Sequence, residues 1–218
     1  MSHLTHGKNT LLDNGLPAIN RYITDHNSEA KAVFSTHIEE RLPWQELPDG
    51  ARFCLGYATE KFPVQLSQQE DLQVYQLYLE NKPGITIPGG TVLRLVDMRP
   101  GALSPMHRTV SLDYGVVLEG EVELVLDSGE VRLLRRGDVA IQRGTNHAWR
   151  NASNTQWARM LYMLQEAQTL NIGGETLGED YGGIPGVRPS RPDAASKTLD
   201  NDGIKGSGIG DKMMSDFP

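Results

Sequence analysis

From Thr91 to Leu164 the chain is cut into short, mostly apolar runs that are closed by turns built on glycine or aspartate. The runs are TVLRLVDM, LDYGVVLEG, EVELVLD, EVRLLR, DVAIQ and WARMLYML, separated by EG, DSG, RRGD and the longer loop RGTNHAWRNASNT. Several short strands in succession, with glycine or aspartate at each turn, build an antiparallel sandwich or barrel. Asp127-Ser128-Gly129 suits a hairpin, because glycine takes the positive φ that such connections need. The segment VYQLYLE places Tyr75, Leu77 and Leu79 on one side and Gln76 and Tyr78 on the other, so a further strand is expected over Val74 to Glu80. No internal repeat is visible, which predicts one barrel and not a tandem pair.

The rest of the chain frames that barrel. With 218 residues, 23 glycines and 12 prolines, the sequence is long enough for one full core and too broken for long helices. Residues 1–50 show no sustained period and read as an irregular N-terminal arm that covers a sheet edge. Residues 51–170 are assigned to the barrel. Residues 171–218, rich in Gly, Asp, Ser and Pro, hold too little apolar surface to offset their ordering entropy and are expected to be a flexible tail, with a short piece around Tyr181 to Val187 docking on the barrel.

Charge and cysteine content narrow the function classes. A formal charge of −7 leaves no basic surface for phosphate backbones, so nucleic acid is not an expected partner. The N-terminus lacks the pattern of a secretory signal and no run is long enough to span a membrane, so a cytoplasmic protein is expected. Cys54, the single cysteine, reads as a buried strand residue. His3 and His6 lie in a polar leader and are taken as solvent-exposed.

Two blocks carry candidate chemistry. In the first, Gly101 is followed by five residues and His107, then Thr109, Asp113 and, after six more residues, Gly120. In the second, Gly137-Asp138 leads through Gln142, Arg143 and Gly144 to His147, with Asn151 closing the block. The first block resembles the first motif of the cupin superfamily, with Thr109 where that motif has a second histidine and Asp113 where it has glutamate. The second is similar to the second motif, Gly-x-x-His-x-x-x-Asn, without its usual proline. The resemblance implies a single cupin barrel, a double-stranded β-helix or jelly roll of the all-β class. More narrowly, HRTVSLDYGVVLEGEVELVLDSGE and GDVAIQRGTNHAWRN resemble small fungal cupin-domain oxidoreductases of polyketide and aromatic secondary metabolism. That resemblance implies an oxidoreductase acting on a small polyketide-like or phenolic metabolite, and a homodimer joined through sheet edges.

The residues allow several chemistries. His107 and Thr109 share one side of an extended segment, as do His147 and Trp149. If both segments face inward, His107, Asp113 and His147 converge on one cavity. Two imidazoles and a carboxylate suit a divalent metal, with Fe(II) favoured and Zn, Mn or Ni open. The same set without a metal suits general acid–base catalysis, and a purely structural role also stays open. Dehydration, isomerisation or decarboxylation, and a non-catalytic binding barrel, stand as alternatives to oxidation. Four further residues are candidate substrate contacts: Arg94 for a carboxylate, enolate or phenolate, Arg159, whose charge must be paired if its face is inward, and Tyr114 and Trp149 as aromatic walls.

Overall fold

The computed structural model describes residues 11–184 together with 187, 188 and 190; His3, His6 and most of the predicted tail lie outside these residues. In chain order the strands and helix are β1 (Thr24–His26), β2 (Ala32–Phe34), β3 (Gln45–Glu46), β4 (Arg52–Thr59), α1 (Glu70–Glu80), β5 (Thr91–Met98), β6 (Ser111–Glu119), β7 (Glu121–Leu126), β8 (Val131–Arg135), β9 (Val139–Arg143), β10 (His147–Asn151), β11 (Ala158–Glu166), β12 (Leu170–Ile172) and β13 (Glu175–Leu177). A six-stranded sheet runs β3-β4-β5-β11-β6-β9, and a three-stranded sheet runs β10-β7-β8. Every pairing is antiparallel. The segment preceding β6 extends the smaller sheet through bridges between Leu103 and Arg150 and between His107 and His147. The result is the all-β barrel that the short runs and their turns predict.

The larger sheet is covered on both sides. Met98, Val117, Val122, Leu134, Trp149 and Met160 form a buried cluster that joins the two sheets. On the opposite face of β4 and β5, Cys54 and Leu95 are packed beneath Ile19, Leu42 and Trp44 of the N-terminal arm. The arm therefore does more than cover an edge: β3 adds a strand beside β4, and the residues before it roof the sheet.

Two expectations are corrected. Val74 to Glu80 is not a strand but the greater part of α1. Leu72 and Tyr75 are buried, Leu79 is half-buried and Leu77 is exposed, which is helical spacing over a segment that alternates by accident. Tyr75 donates from its hydroxyl to the Leu55 carbonyl at 2.8 Å, fixing α1 to β4. The predicted loop 143–155 contains β10, whose register pairs His147 with Leu126 and Asn151 with Val122.

The expected tail is also folded at its start. β12 and β13 form a hairpin, and residues 178–184 then lie along the segment that precedes β6. Arg108 and Asp180 exchange backbone hydrogen bonds of 2.5 and 2.9 Å, and the Arg108 Nε donates to the Gly178 carbonyl at 2.8 Å. Gly182, at φ +57°, sits so close that a Cβ would fall 2.0 Å from the Met106 carbonyl oxygen. Tyr181, Ile184 and Val187 pack with the Tyr75–Ile85 cluster, so the docking segment anticipated around Tyr181 is present. Among the described residues no helix is long and apolar enough to cross a membrane.

Candidate active site

A cavity of about 200 Å³ opens between the two sheets. His107, His147 and Trp149 face it from the smaller sheet, and Arg94, Asp113, Gln142 and Tyr162 face it from the larger one. Of the predicted contacts, Arg94 and Trp149 are thus inside. Tyr114 and Arg159 are not. Tyr114 follows Asp113 on β6 and so points to the other side of the sheet, 36% exposed. Arg159 is 1% exposed beneath the arm, with Nε and Nη2 on the two oxygens of Asp97 at 2.5 and 2.7 Å, Nη1 on the Pro17 carbonyl, and its guanidinium 4.6 Å from the Trp44 ring centre. Its charge is paired outside the cavity.

The two histidines are held together by the backbone. His107 and His147 exchange N–H···O bonds of 2.8 and 2.9 Å, which makes them directly opposed partners of an antiparallel pair. Their rings lie 4.3 Å apart at 46°. His107 Nδ1 meets the Pro105 carbonyl at 2.9 Å, and His147 Nδ1 meets the Thr145 carbonyl at 3.0 Å. A carbonyl only accepts, so each Nδ1 carries the hydrogen and each neutral ring keeps an unprotonated Nε2. Burial lowers the pKa of His107. Burial and the neighbouring His107 bring His147 down to about 4. The pair is neutral at pH 7.

The opposite wall carries the charges. Asp113, 5% exposed, accepts from the Thr109 hydroxyl at 3.3 Å, and Thr109 accepts from Ser111 at 2.6 Å. Burial lifts the Asp113 pKa to about 6 against the pull of these hydroxyls and of Arg94. Its Oδ1 is buried without a partner. Gln142, directly across from Asp113 in the β6–β9 register, accepts from Thr145 while its amide nitrogen is also unpartnered. Arg94 donates from Nη2 to the Gly84 carbonyl at 3.0 Å and lies 5.5 Å from the Phe53 ring centre. Burial lowers its pKa to about 10, which leaves it cationic at neutral pH. An orphaned acceptor, an orphaned donor and a guanidinium with free donors thus face one cavity.

The three-ligand metal set is not assembled. Among the described residues no three His, Cys, Asp or Glu side chains come close enough to share one ion. Thr109, standing where the motif has a histidine, instead steadies Asp113 on its own wall, so the donor set fit for a cation is the pair of Nε2 atoms. Gln142 and Tyr162 are lining residues beyond the predicted contacts. The signal for Gln142 was available, since in VAIQR it shares a side with Ala140 and opposes the exposed Val139 and Ile141.

A family model described as the cupin domain matches residues 94–164. Among curated proteins, Phomopsin biosynthesis cluster protein C′ of Diaporthe leptostromiformis is 55% identical over 159 residues, covering 73% of this chain and 84% of that protein. Oryzines biosynthesis cluster protein J of Aspergillus oryzae is 45% identical, covering 80% and 98%. A cupin-domain-containing oxidoreductase of Neurospora crassa is 41% identical, covering 74% and 81%.

Proposed function

We propose, since the chain belongs to the cupin-domain family of fungal biosynthesis-cluster proteins and oxidoreductases, that it is an oxidoreductase of secondary metabolism whose reaction starts with proton transfer on a small organic anion. The observation that supports this is the pairing of two neutral imidazoles on one wall of the cavity with a cationic Arg94 and an ionisable Asp113 on the other. Environments that push the pKa of two groups apart assign their roles. His147 is held down as a free base, and Asp113 is held up as an acid near pH 6.

The steps follow from these positions. A carboxylate, enolate or phenolate oxygen of a polyketide-like or phenolic substrate takes the free donors of Arg94, whose planar fork suits it. Nε2 of the histidine pair removes a proton from the acidic C–H or O–H of the bound molecule. The resulting anion is stabilised by Arg94 in a site whose apolar walls raise the strength of that contact. Oxidation is completed when the anion yields two electrons to dioxygen and gives up a second proton, and the two protons, one of them from Nε2, leave with the reduced dioxygen as hydrogen peroxide. Metal binding is common among cupins, and a divalent ion, Fe(II) before Zn, Mn or Ni, would draw here on the two Nε2 atoms. It would supply electron transfer to dioxygen. Asp113 returns the proton where the product requires one.

The same acid–base couple, without electron loss, completes a dehydration, isomerisation or decarboxylation, and the separation of Asp113 from the histidine pair favours this second reading. Incubation with phenolic and polyketide-aldehyde substrates in deuterated water, with and without dioxygen, tests both. Deuterium entering the acidic position and oxygen uptake support oxidation; deuterium entry with oxygen-independent turnover supports the second reading. Undiminished exchange in a His107→Gln/His147→Gln double variant would sink both.

A further inference from the structure

A second chamber of about 300 Å³ lies beside the first, lined, apart from Arg94, by residues that the proposed chemistry does not use. Trp44 and Leu47 come from the arm, Leu55 from β4, and Tyr78 and Leu79 from α1, with Lys82 at the exposed rim. Phe53 and Arg94 line both chambers. The Arg94 guanidinium, packed near Phe53 and tied to Gly84 on the outer side, is therefore the shared wall.

We propose that the ligand is an acid with an apolar tail: its reacting unit in the inner chamber, its anionic oxygen on Arg94, and its tail in the outer chamber over Leu55, Tyr78 and Leu79. The volumes favour this. Pockets for drug-sized ligands run to roughly 300–1,000 Å³, a range that the inner cavity alone falls short of and that the two chambers together reach. The chemistry agrees, because a buried guanidinium with spare donors between two apolar spaces matches an anionic group between two apolar parts of one molecule. The outer chamber then sets chain-length specificity and leaves the proton chemistry to the inner one.

This inference rests on Arg94 as the anion anchor, so the test separates the two. Calorimetric titration compares butanoate with decanoate on the full chain, its Leu79→Trp and Lys82→Trp variants, and Arg94→Gln. Lys82 is exposed, so a bulky residue there narrows the chamber without touching the core. Decanoate should bind the unmodified chain at least tenfold more tightly than butanoate. Either tryptophan variant should remove most of that gain and leave butanoate within twofold, whereas Arg94→Gln should weaken both acids. Equal binding of the two acids, or tryptophan variants that leave the decanoate gain intact, overturns the outer chamber, and a loss in Arg94→Gln then leaves the anchor standing. A chain-length gain that the tryptophan variants remove but Arg94→Gln does not alter supports the chamber and overturns the anchor.

Discussion

Two buried arginines on neighbouring strands, each with an aspartate nearby, are put to opposite uses. Arg159 on β11 and Asp97 on β5 are direct partners across the β5–β11 register, so their side chains meet and close a bidentate pair. Arg94 and Asp113 face the other side of the same sheet, on β5 and β6 with β11 between them. Adjacent strands lie roughly 4.8 Å apart, so two strand spacings hold this second couple open. Tyr162, opposite both Arg94 and Gly115 in the registers of β11, occupies the interval. A ring fits there because a Cβ on Gly115 would already stand 3.2 Å from it. Charges one strand apart neutralise each other; charges two strands apart remain available to a ligand.

The largest expected effect breaks the closed couple. Arg159→Met should cost about 3–5 kcal/mol, because Asp97 is left buried and unpaired, and a chemical denaturation midpoint measures it. Replacing both partners, with Asp97→Leu added, should recover most of the loss. If Arg159→Met alone is silent, the contrast between the couples is wrong.

Next in size is the pH response of the open wall. Asp113 has a folded pKa of about 6 against an ordinary 3.8, so the folded state holds the extra proton between these values. Stability from this group is present below about pH 4 and falls by about 3 kcal/mol as pH rises to about 6. His147, at about 4 against 6.5, contributes with the opposite sign: the unfolded state holds the proton, and stability rises by about 3 kcal/mol over nearly the same interval. The two contributions offset each other in the unmodified chain. In Asp113→Asn the denaturation midpoint should climb with pH between about 4 and 6.5, and in His147→Gln that climb should vanish or reverse. Parallel profiles for the two variants would contradict the assignment.

Smaller again is the loss of the open arginine. Arg94→Gln should leave the midpoint unchanged or raise it, since a desolvated charge is removed, while binding of an organic acid weakens roughly 10- to 100-fold, the 1.5–3 kcal/mol of a charged hydrogen bond. Calorimetric titration beside the melt reads both. The smallest effect belongs to Tyr114→Ser on the outer face, which should move stability by no more than about 0.5 kcal/mol and acid binding not at all.

The same couples show what the sequence could reveal. The runs from Thr91 to Leu164 and their glycine turns make β5 to β9 and β11 legible, and the two His blocks place His107 and His147 inside the barrel. Which arginine faces the cavity is not legible, because the larger sheet is buried on both sides and alternation then names two faces without ranking them. α1 escapes for a related reason: over seven residues, Tyr75, Leu77 and Leu79 satisfy a strand pattern, and the helical spacing shows only when Leu72 is included. The missing third metal ligand follows from position. Asp113 lies on the wall opposite the histidines, and a linear motif does not carry the distance between walls.

The reciprocal main-chain bonds between His107 and His147 have an evolutionary consequence. Main-chain bonds fix the spacing of the two residues, and each Nδ1 has a carbonyl partner two residues before it, so substitution of one histidine leaves the other's hydrogen-bond partner in place. The barrel can therefore admit change at one of the two positions without unmaking the backbone that presents the other.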